Sequence, residues 1–592
     1  LGVNLKAAFF AAQKAARALG TNNVDNAARV CHAPSTGALR EAVGAIATTI
    51  SYRDLMATDL VVLWGANVAN AQPVMMKYLY LARREGTRVA VVNPHREPGL
   101  ERYWVPSNAE SAIFGTRMAD AFFPVHVGGD TAFATGVLKL LVAEGGVDER
   151  FVARHATGFD RVREVCARHT LAELGAMSGV GEDGLRRFAE MYRAAESAVF
   201  VWSMGVTQHR CGSDNVRALI DVALARGNVG RPGAGLMPIR GHSGVQGGAE
   251  MGAYATAFPG NVPITPESAA ALSEAYGFPV PAERGLTAEE MLEAAGRGEL
   301  DVLHASGGNF LDVLPDPALV AERLGRVPVR AHQDIVVSSQ MLVDPPPGGA
   351  VVLLPAATRY EQPGGGTQTT TERRIAFSPE IPGPRPGEVR AEWEIYRELA
   401  RRAAPQRAHL LGLADAQAIR EEIARAVPFY DGIQRLRDTG DQVQWGGERL
   451  CEGWVFPTPD DMARFSAVEP RDPRPPEGRY LLSSRRGKQF NSMVFADADP
   501  LTGAARDALF ISAEDAAALG LAEGAPVAVR SATGEVRARA RIAPVRPGNV
   551  QMFWPECNPL IEAGVRDPDS KVPDYNAVVE LIRRPAPGDL II

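Results

Sequence analysis

A cysteine followed at once by a histidine, Cys31-His32, stands in the run Ala28-Arg29-Val30-Cys31-His32-Ala33-Pro34-Ser35, just past the turn-forming Gly20-Thr21-Asn22-Asn23. A thiolate is a soft ligand suited to a heavy, redox-active metal, and an imidazole can carry a proton near neutral pH. The same pair also reads as a buried packing cysteine beside an unrelated histidine, or as nucleophile and base of an acyl-transfer enzyme. Adjacent side chains on one segment diverge in direction, which counts against the last. Three further segments concentrate planar donors in polar sequence. Met237–Gly248 holds Arg240, His242 and Gln246. Tyr360–Arg374 holds Gly364-Gly365-Gly366-Thr367, Glu372 and Arg374. Arg485–Asn491 holds Gln489 and Asn491. Each alone reads as a solvated loop; as a set they suit a large anionic ligand with pyrophosphate and purine parts.

These groups need a scaffold, and the apolar runs supply one. Asp59–Trp64 reads as a buried parallel strand, Gly65-Ala66-Asn67 turns the chain, a helix runs from Pro73 to about Glu85, and Arg88–Val92 is the next strand, ending in Asn93-Pro94-His95-Arg96. The pattern recurs in Asp301–Ser306, Gly307-Gly308-Asn309, a helix over 317–324, and a strand from Val327 into His332-Gln333-Asp334. In both copies the glycine follows the aspartate by six residues and the asparagine follows the glycine by two. A glycine at the end of a parallel strand lets backbone approach a phosphate, and the next helix offers its first amides to the anion. Any α/β protein repeats such units, so one copy alone means little. Helices are expected over 131–144, 182–196, 214–226, 391–403 and 415–427, a strand over 198–202, and a buried strand over 351–355. Alternation in Val536–Ile542, with strands at 480–484 and 526–530, predicts a C-terminal barrel.

With 592 residues the chain is too long for one core. The expected divisions are 1–26 as the remainder of an N-terminal region, 27–243 and 244–400 as two cofactor-binding α/β domains, 401–474 as a helical connector and 475–592 as the barrel. A net charge of −7 gives no case for nucleic acid, and no apolar run is long enough to span a membrane. The five cysteines form no Cys-x-x-Cys spacing, so they encode neither a zinc nor an iron–sulfur site, and they point to a reducing, cytoplasmic setting. The chain begins within an expected amphipathic helix, Leu5–Leu19, so upstream sequence is expected to be missing.

Together the segments resemble the molybdopterin oxidoreductase family of the DMSO reductase superfamily, in its formate-dehydrogenase-like branch. The resemblance runs from Gly20-Thr21-Asn22-Asn23 to Pro573-Asp574-Tyr575-Asn576, in family order. It implies a multi-domain α/β fold, with two related Rossmann-like domains around a bis-dinucleotide cofactor and a six-stranded double-psi β-barrel. It implies bis-molybdopterin guanine dinucleotide carrying molybdenum or tungsten, with Cys31 as the protein's metal ligand. His32, with His242, would manage a proton, and Arg240 would meet a substrate carboxylate. Gly65, Asn67, Asn93, Arg96, Asp130 and Gly205 would serve one dinucleotide, and Gly307, Asn309, Asp334, Thr367, Glu372 and Arg374 the other. Gln246 would also touch the cofactor, and Gln489, Asn491, Asn558 and Asn576 would close over it from the barrel. A 4Fe-4S cluster would come only from a missing N-terminal region. The implied reaction is two-electron oxidation of formate or a related small carboxylate, with an unidentified electron-transfer partner. Oxyanion (nitrate-type) reduction on the same cofactor, or a non-catalytic subunit of a redox complex, are the alternatives. The sequence departs from the family's Gln-Asn-Asn after Arg-Gly, having His242-Ser243-Gly244, and has Ala33 where glycine usually follows Cys-His.

Overall fold

The computed structural model describes residues 5–105, 108–240, 244–487 and 496–583. The chain forms two compact units, each assembled from two stretches: 1–31 with 242–447, and 32–241 with 448–592. The Cys31–His32 peptide bond is one of the crossings between them.

The larger unit (32–241 with 448–592) is built on a parallel sheet ordered Ala121–Phe123, Arg88–Val92, Leu60–Trp64, Ala198–Trp202, Gly235–Pro238. Leu60–Trp64 and Ala198–Trp202 are buried at every position, which is why both read as unbroken apolar runs and not as alternation. Their alternate side chains serve two layers. Val62, Trp64, Phe200 and Trp202 pack with the helices Ala33–Val43, Asp130–Ala143 and Gly212–Leu224. Val61, Leu63, Val199 and Val201 pack with Met76 and Leu79 of the helix Met75–Arg84. Each such side chain fully buried contributes roughly 1.5–3 kcal/mol.

The C-terminal stretch of this unit closes a six-stranded barrel in the order Tyr480–Arg485, Asn549–Phe553, Ala508–Ile511, Glu535–Ile542, Pro526–Arg530, Asn576–Arg583. The alternation in Glu535–Ile542 places Ala538 and Ala540 in the barrel core, while Arg537 and Arg539 are exposed.

The smaller unit (1–31 with 242–447) carries a parallel sheet ordered Val302–Ser306, Val329–Asp334, Ala350–Pro355. Its first two strands repeat the larger unit's design atom for atom at the turn. Gly65 N donates to Val92 O at 3.0 Å and Gly307 N to Gln333 O at 2.9 Å. Both glycines have left-handed backbone, φ +56° and +59°, and an asparagine precedes the next short helix in each.

Three local expectations differ from the structure. Ala350–Pro355 is mostly exposed, because it ends its sheet and pairs on one side alone. Met237–Gly248 is not all loop: Val245–Glu250 is a buried helix, its glycines serving close packing. The helix Lys6–Ala18 is not amphipathic but buried nearly all round, with Lys6, Gln13, Lys14 and Arg17 inside. These charges find partners. Lys14 pairs with Glu422 at 2.5 Å, and Arg17 donates to Gly252 O at 2.9 Å.

Burial pulls the Lys6 ammonium from its ordinary 10.5 down to about 8, with Glu250 opposing. The unfolded chain holds that proton to a higher pH. The cost of the buried charge is therefore carried in full below about pH 8 and relieved between about 8 and 10.5, so this group makes the fold gain stability with rising pH in that window. Wild type should gain thermal stability relative to Lys6→Met across that window. A difference that stays flat with pH would show that the buried amine keeps its proton.

Candidate functional site

In the larger unit the sheet order reverses between Leu60–Trp64 and Ala198–Trp202, the point where open α/β sheets form their crevice. Two turns leave these strands and touch: Gly205 N donates to Gly65 O at 3.1 Å. A Cβ on Gly65 would lie 2.7 Å from Val206 N, and one on Gly205 2.6 Å from Gly65 O. Neither position tolerates a side chain. The crevice above them has a cavity volume of about 140 Å³, is partly open to solvent, and is roofed by the barrel segments at Ser483–Arg486, Gln551 and Asn576. It brings together Gly65, Asn67, Asn93, Asp130, Gly205 and Asn576 of the sequence-derived set.

Its polar groups are held in defined states. Asp130 is buried and accepts a hydrogen bond from Trp64 Nε1 at 2.7 Å. Burial raises its pKa, and His209 opposes the shift. His209 Nε2 donates to Gly205 O at 2.9 Å, and its Nδ1 lies 3.2 Å from Asn576 Nδ2. His126 accepts from Asn549 Nδ2 at 2.9 Å, and burial with nearby Arg546 pulls it down to about 4. Arg485 donates to Glu97 Oε2 at 2.9 Å and lies over the Phe510 ring at 4.3 Å, while His95 Nδ1 sits 2.8 Å from Arg485 Nη1 and 3.0 Å from Gln551 Oε1. His95 Nε2 is buried with no partner. His95, Glu97, His126, His209, Arg485 and Gln551 line the crevice and are additions to the sequence-derived set. The signal for His95 and Glu97 lay in the strand-end run Asn93–Glu97; what it lacked was side-chain direction. Arg96 points elsewhere: it pairs with Glu101 and covers Phe122 at 5.0 Å.

The same unit holds His32 and Arg240. His32 is 1% exposed. Its Nε2 lies 3.0 Å from Ile239 O, which can only accept, so Nε2 carries the hydrogen and Nδ1 accepts from Ser35 Oγ at 3.0 Å. Ser35 Oγ in turn accepts from Trp202 Nε1 at 2.8 Å. Burial, then the Arg240 charge, hold His32 well below its ordinary pKa and therefore neutral. Arg240 is itself buried.

In the smaller unit Cys31 is half-buried, on a turn whose approach is clamped. Arg29 pairs with Asp25 at 3.0 Å, donates to Thr256 Oγ1 at 3.0 Å and lies 3.8 Å over the Tyr254 ring. Gln246 is buried and donates to Glu250 Oε1 at 2.8 Å. At the strand ends, Asn309 Nδ2 donates to Ser339 Oγ at 2.9 Å while its Oδ1 is buried without a partner, as is Gln333 Oε1. Burial raises the Asp334 carboxyl. Thr367 is buried on the hairpin Gly366–Thr369/Arg374–Ser378, and Arg374 pairs with Glu372 at 3.0 Å. Asn558 is buried beneath the barrel and is not part of the crevice lining. His242, Gln489 and Asn491 lie outside the described residues.

Among the described residues no three His, Cys, Asp or Glu side chains converge to hold an ion, so a metal at Cys31 would draw its other ligands from a cofactor. The residues fit a dinucleotide: glycine turns that admit only backbone, and orphaned polar atoms at His95, Asn309 and Gln333.

Comparison with known proteins agrees. A family model described as molybdopterin oxidoreductase matches residues 2–402, and one described as molybdopterin dinucleotide binding domain matches residues 480–579. Protein YdeP of Shigella flexneri is 29% identical, over 97% of this chain and 79% of its own. The F420-dependent formate dehydrogenase 2 subunit alpha of Methanococcus maripaludis is 30% identical, over 95% of this chain and 82% of its own. Acetylene hydratase from Pelobacter acetylenicus shares the fold, with a TM-score of 0.66 at 16% identity, covering 95% of this chain and 83% of that one.

Gly205→Ala should force the two turns apart, costing about 1–3 kcal/mol, and lower the nucleotide released by acid from the purified protein. Wild-type nucleotide content in that variant would show that the glycine contact does not shape the site.

Proposed function

Since the chain belongs to the molybdopterin oxidoreductase family and is an oxidoreductase with a molybdopterin-type cofactor, we propose that it is formate-dehydrogenase-like, oxidising formate or a related small carboxylate by two electrons. The proposed cofactor is bis-molybdopterin guanine dinucleotide with molybdenum or tungsten, and Cys31 is the proposed protein ligand. The observation that carries the reading is the buried Arg240 cation set against a neutral His32, the residue that follows Cys31. The planar guanidinium of Arg240 suits a carboxylate brought beside the imidazole.

When bound, the pterin-held metal supplies the two-electron acceptor. Arg240 binds the carboxylate and orients its C–H bond. Oxidation of formate to carbon dioxide releases one proton with the two electrons. His32 can hold that proton at Nδ1, the nitrogen with the free lone pair once the Ser35 hydroxyl turns aside. Ile239 O keeps the ring in place through Nε2. Asp130 suits guanine because a carboxylate accepts from both N1–H and the exocyclic amine. A redox partner takes the electrons onward. Among the described residues no helix is long and apolar enough to cross a membrane, and a cytoplasmic setting suits the five free cysteines.

The pattern His242-Ser243-Gly244 keeps oxyanion reduction as the second reading. Purified protein should contain molybdenum or tungsten and release GMP on acid treatment. With artificial electron carriers it should oxidise formate in preference to reducing nitrate; the reverse preference selects the second reading. Cys31→Ala should abolish turnover at wild-type GMP content. Arg240→Lys should raise KM for the carboxylate by about tenfold or more, as a point charge replaces a planar fork. Full turnover in Cys31→Ala would end the ligand assignment.

A further inference from the structure

Within the smaller unit, Gly247 and Gly248 seat the helix Val245–Glu250 against the helix Lys6–Ala18. A Cβ on Gly247 would lie 2.0 Å from Lys6 Nζ, and one on Gly248 2.8 Å from the Phe9 ring. This approach buries a chain of polar groups drawn from four separate stretches. Lys6 Nζ donates to Thr369 Oγ1. The Thr369 and Tyr430 hydroxyls lie 2.9 Å apart. Tyr430 OH donates to Glu250 Oε2, and Gln246 Nε2 donates to Glu250 Oε1 at 2.8 Å. All five side chains are buried.

The direction of this chain is fixed at both ends, because an ammonium only donates and a carboxylate only accepts. Thr369 therefore accepts from Lys6 and donates to Tyr430, which donates to Glu250. Gln246 must turn its NH2 toward Glu250. Its carbonyl oxygen is then committed to the opposite side, and that atom is buried with no partner among the described residues. A buried acceptor left unpaired is an uncompensated cost unless something arrives to donate to it.

We propose that this chain fixes the Gln246 carboxamide so that Oε1 accepts a hydrogen bond from an N–H of the bound pterin dinucleotide, with Lys6, Thr369, Tyr430 and Glu250 as positioning residues that never touch the ligand. The inference rests on the cofactor reading above. A carbonyl oxygen locked in this way repels carboxylates and oxyanions, so the small substrate is the wrong chemistry for it. Pterin and guanine rings, each with a ring N–H and an exocyclic amine, are the right chemistry. The tuned pKa of Lys6, about 8, keeps the cationic end charged at neutral pH.

The test compares wild type with Gln246→Leu and Tyr430→Phe. Acid-released GMP per chain and the melting temperatures of cofactor-loaded and cofactor-free protein are measured. Both variants should retain roughly three- to tenfold less GMP, the factor that one hydrogen bond carries, and both should narrow the gap between the loaded and free melting temperatures. A purely structural role would lower both melting temperatures equally at wild-type GMP content, and that result overturns the inference while leaving the cofactor reading intact. Loss in Gln246→Leu with full content in Tyr430→Phe overturns the positioning claim. Wild type that releases no GMP defeats the cofactor reading and this inference with it.

Discussion

The backbone contact between Gly205 N and Gly65 O is the constraint on which the larger unit's crevice depends. It joins the turns of two adjacent parallel strands at the place where the sheet changes direction, and it exists because neither residue has a Cβ. Its consequences spread outward through single atoms. Gly205 O receives the Nε2 hydrogen of His209. The Nδ1 of that ring then lies beside Asn576 from the barrel. One main-chain hydrogen bond thus sets the relation of sheet, imidazole and barrel strand, and Asp130 feels the same imidazole. A bulkier turn at either strand end would loosen every element of this sequence together.

The crevice handles charge by separating two jobs. Burial holds His95 and His126 below their ordinary pKa, so these two rings stay neutral near pH 7. Positive charge is left to arginine, which does not lose its proton. Arg485 is matched by the buried Glu97, a pair whose rupture from one side would leave a bare charge and cost about 3–5 kcal/mol. The same division holds at His32 and Arg240, where burial first and then the cation keep the imidazole unprotonated. In the crevice, the protonation of His95 and His126 therefore does not drift with pH near neutrality.

The smaller unit repeats the backbone of the strand–glycine–asparagine turn, and its polar inventory differs. The larger unit sets Asp130 and His95 beside the turn. The smaller sets Gln333, Asp334 and the Asn309–Ser339 pair there. The backbone is shared because the requirement for a glycine amide at a strand end is geometric and tolerates no variation. The side chains differ because each strand-end residue is free to specialise once that geometry is met.

Much of this was legible in the amino-acid sequence because it is local. Apolar runs of five bounded by Asp and Gly gave the central strands within a residue or two, and the alternating Val536–Ile542 gave a barrel wall. The glycine turns carried their own explanation. What sequence could not supply is direction at a strand end: in Asn93–Glu97 the flanking His95 and Glu97 face the crevice while Arg96 turns away, an outcome set by where the barrel lies. Nor could it separate glycine that breaks structure from glycine that permits contact. Gly247 and Gly248 look like loop and are helix, because the surface they meet is a lysine amine and a phenyl ring from a stretch more than two hundred residues away. The buried charges of the helix Lys6–Ala18 follow the same logic. Lys6, Lys14 and Arg17 look solvated when only their own helix is considered, and their partners at Thr369, Glu422 and Gly252 exist only in the folded chain. Where function requires a polar group to be buried, the evidence for it lies in its partners, and partners are long-range by construction.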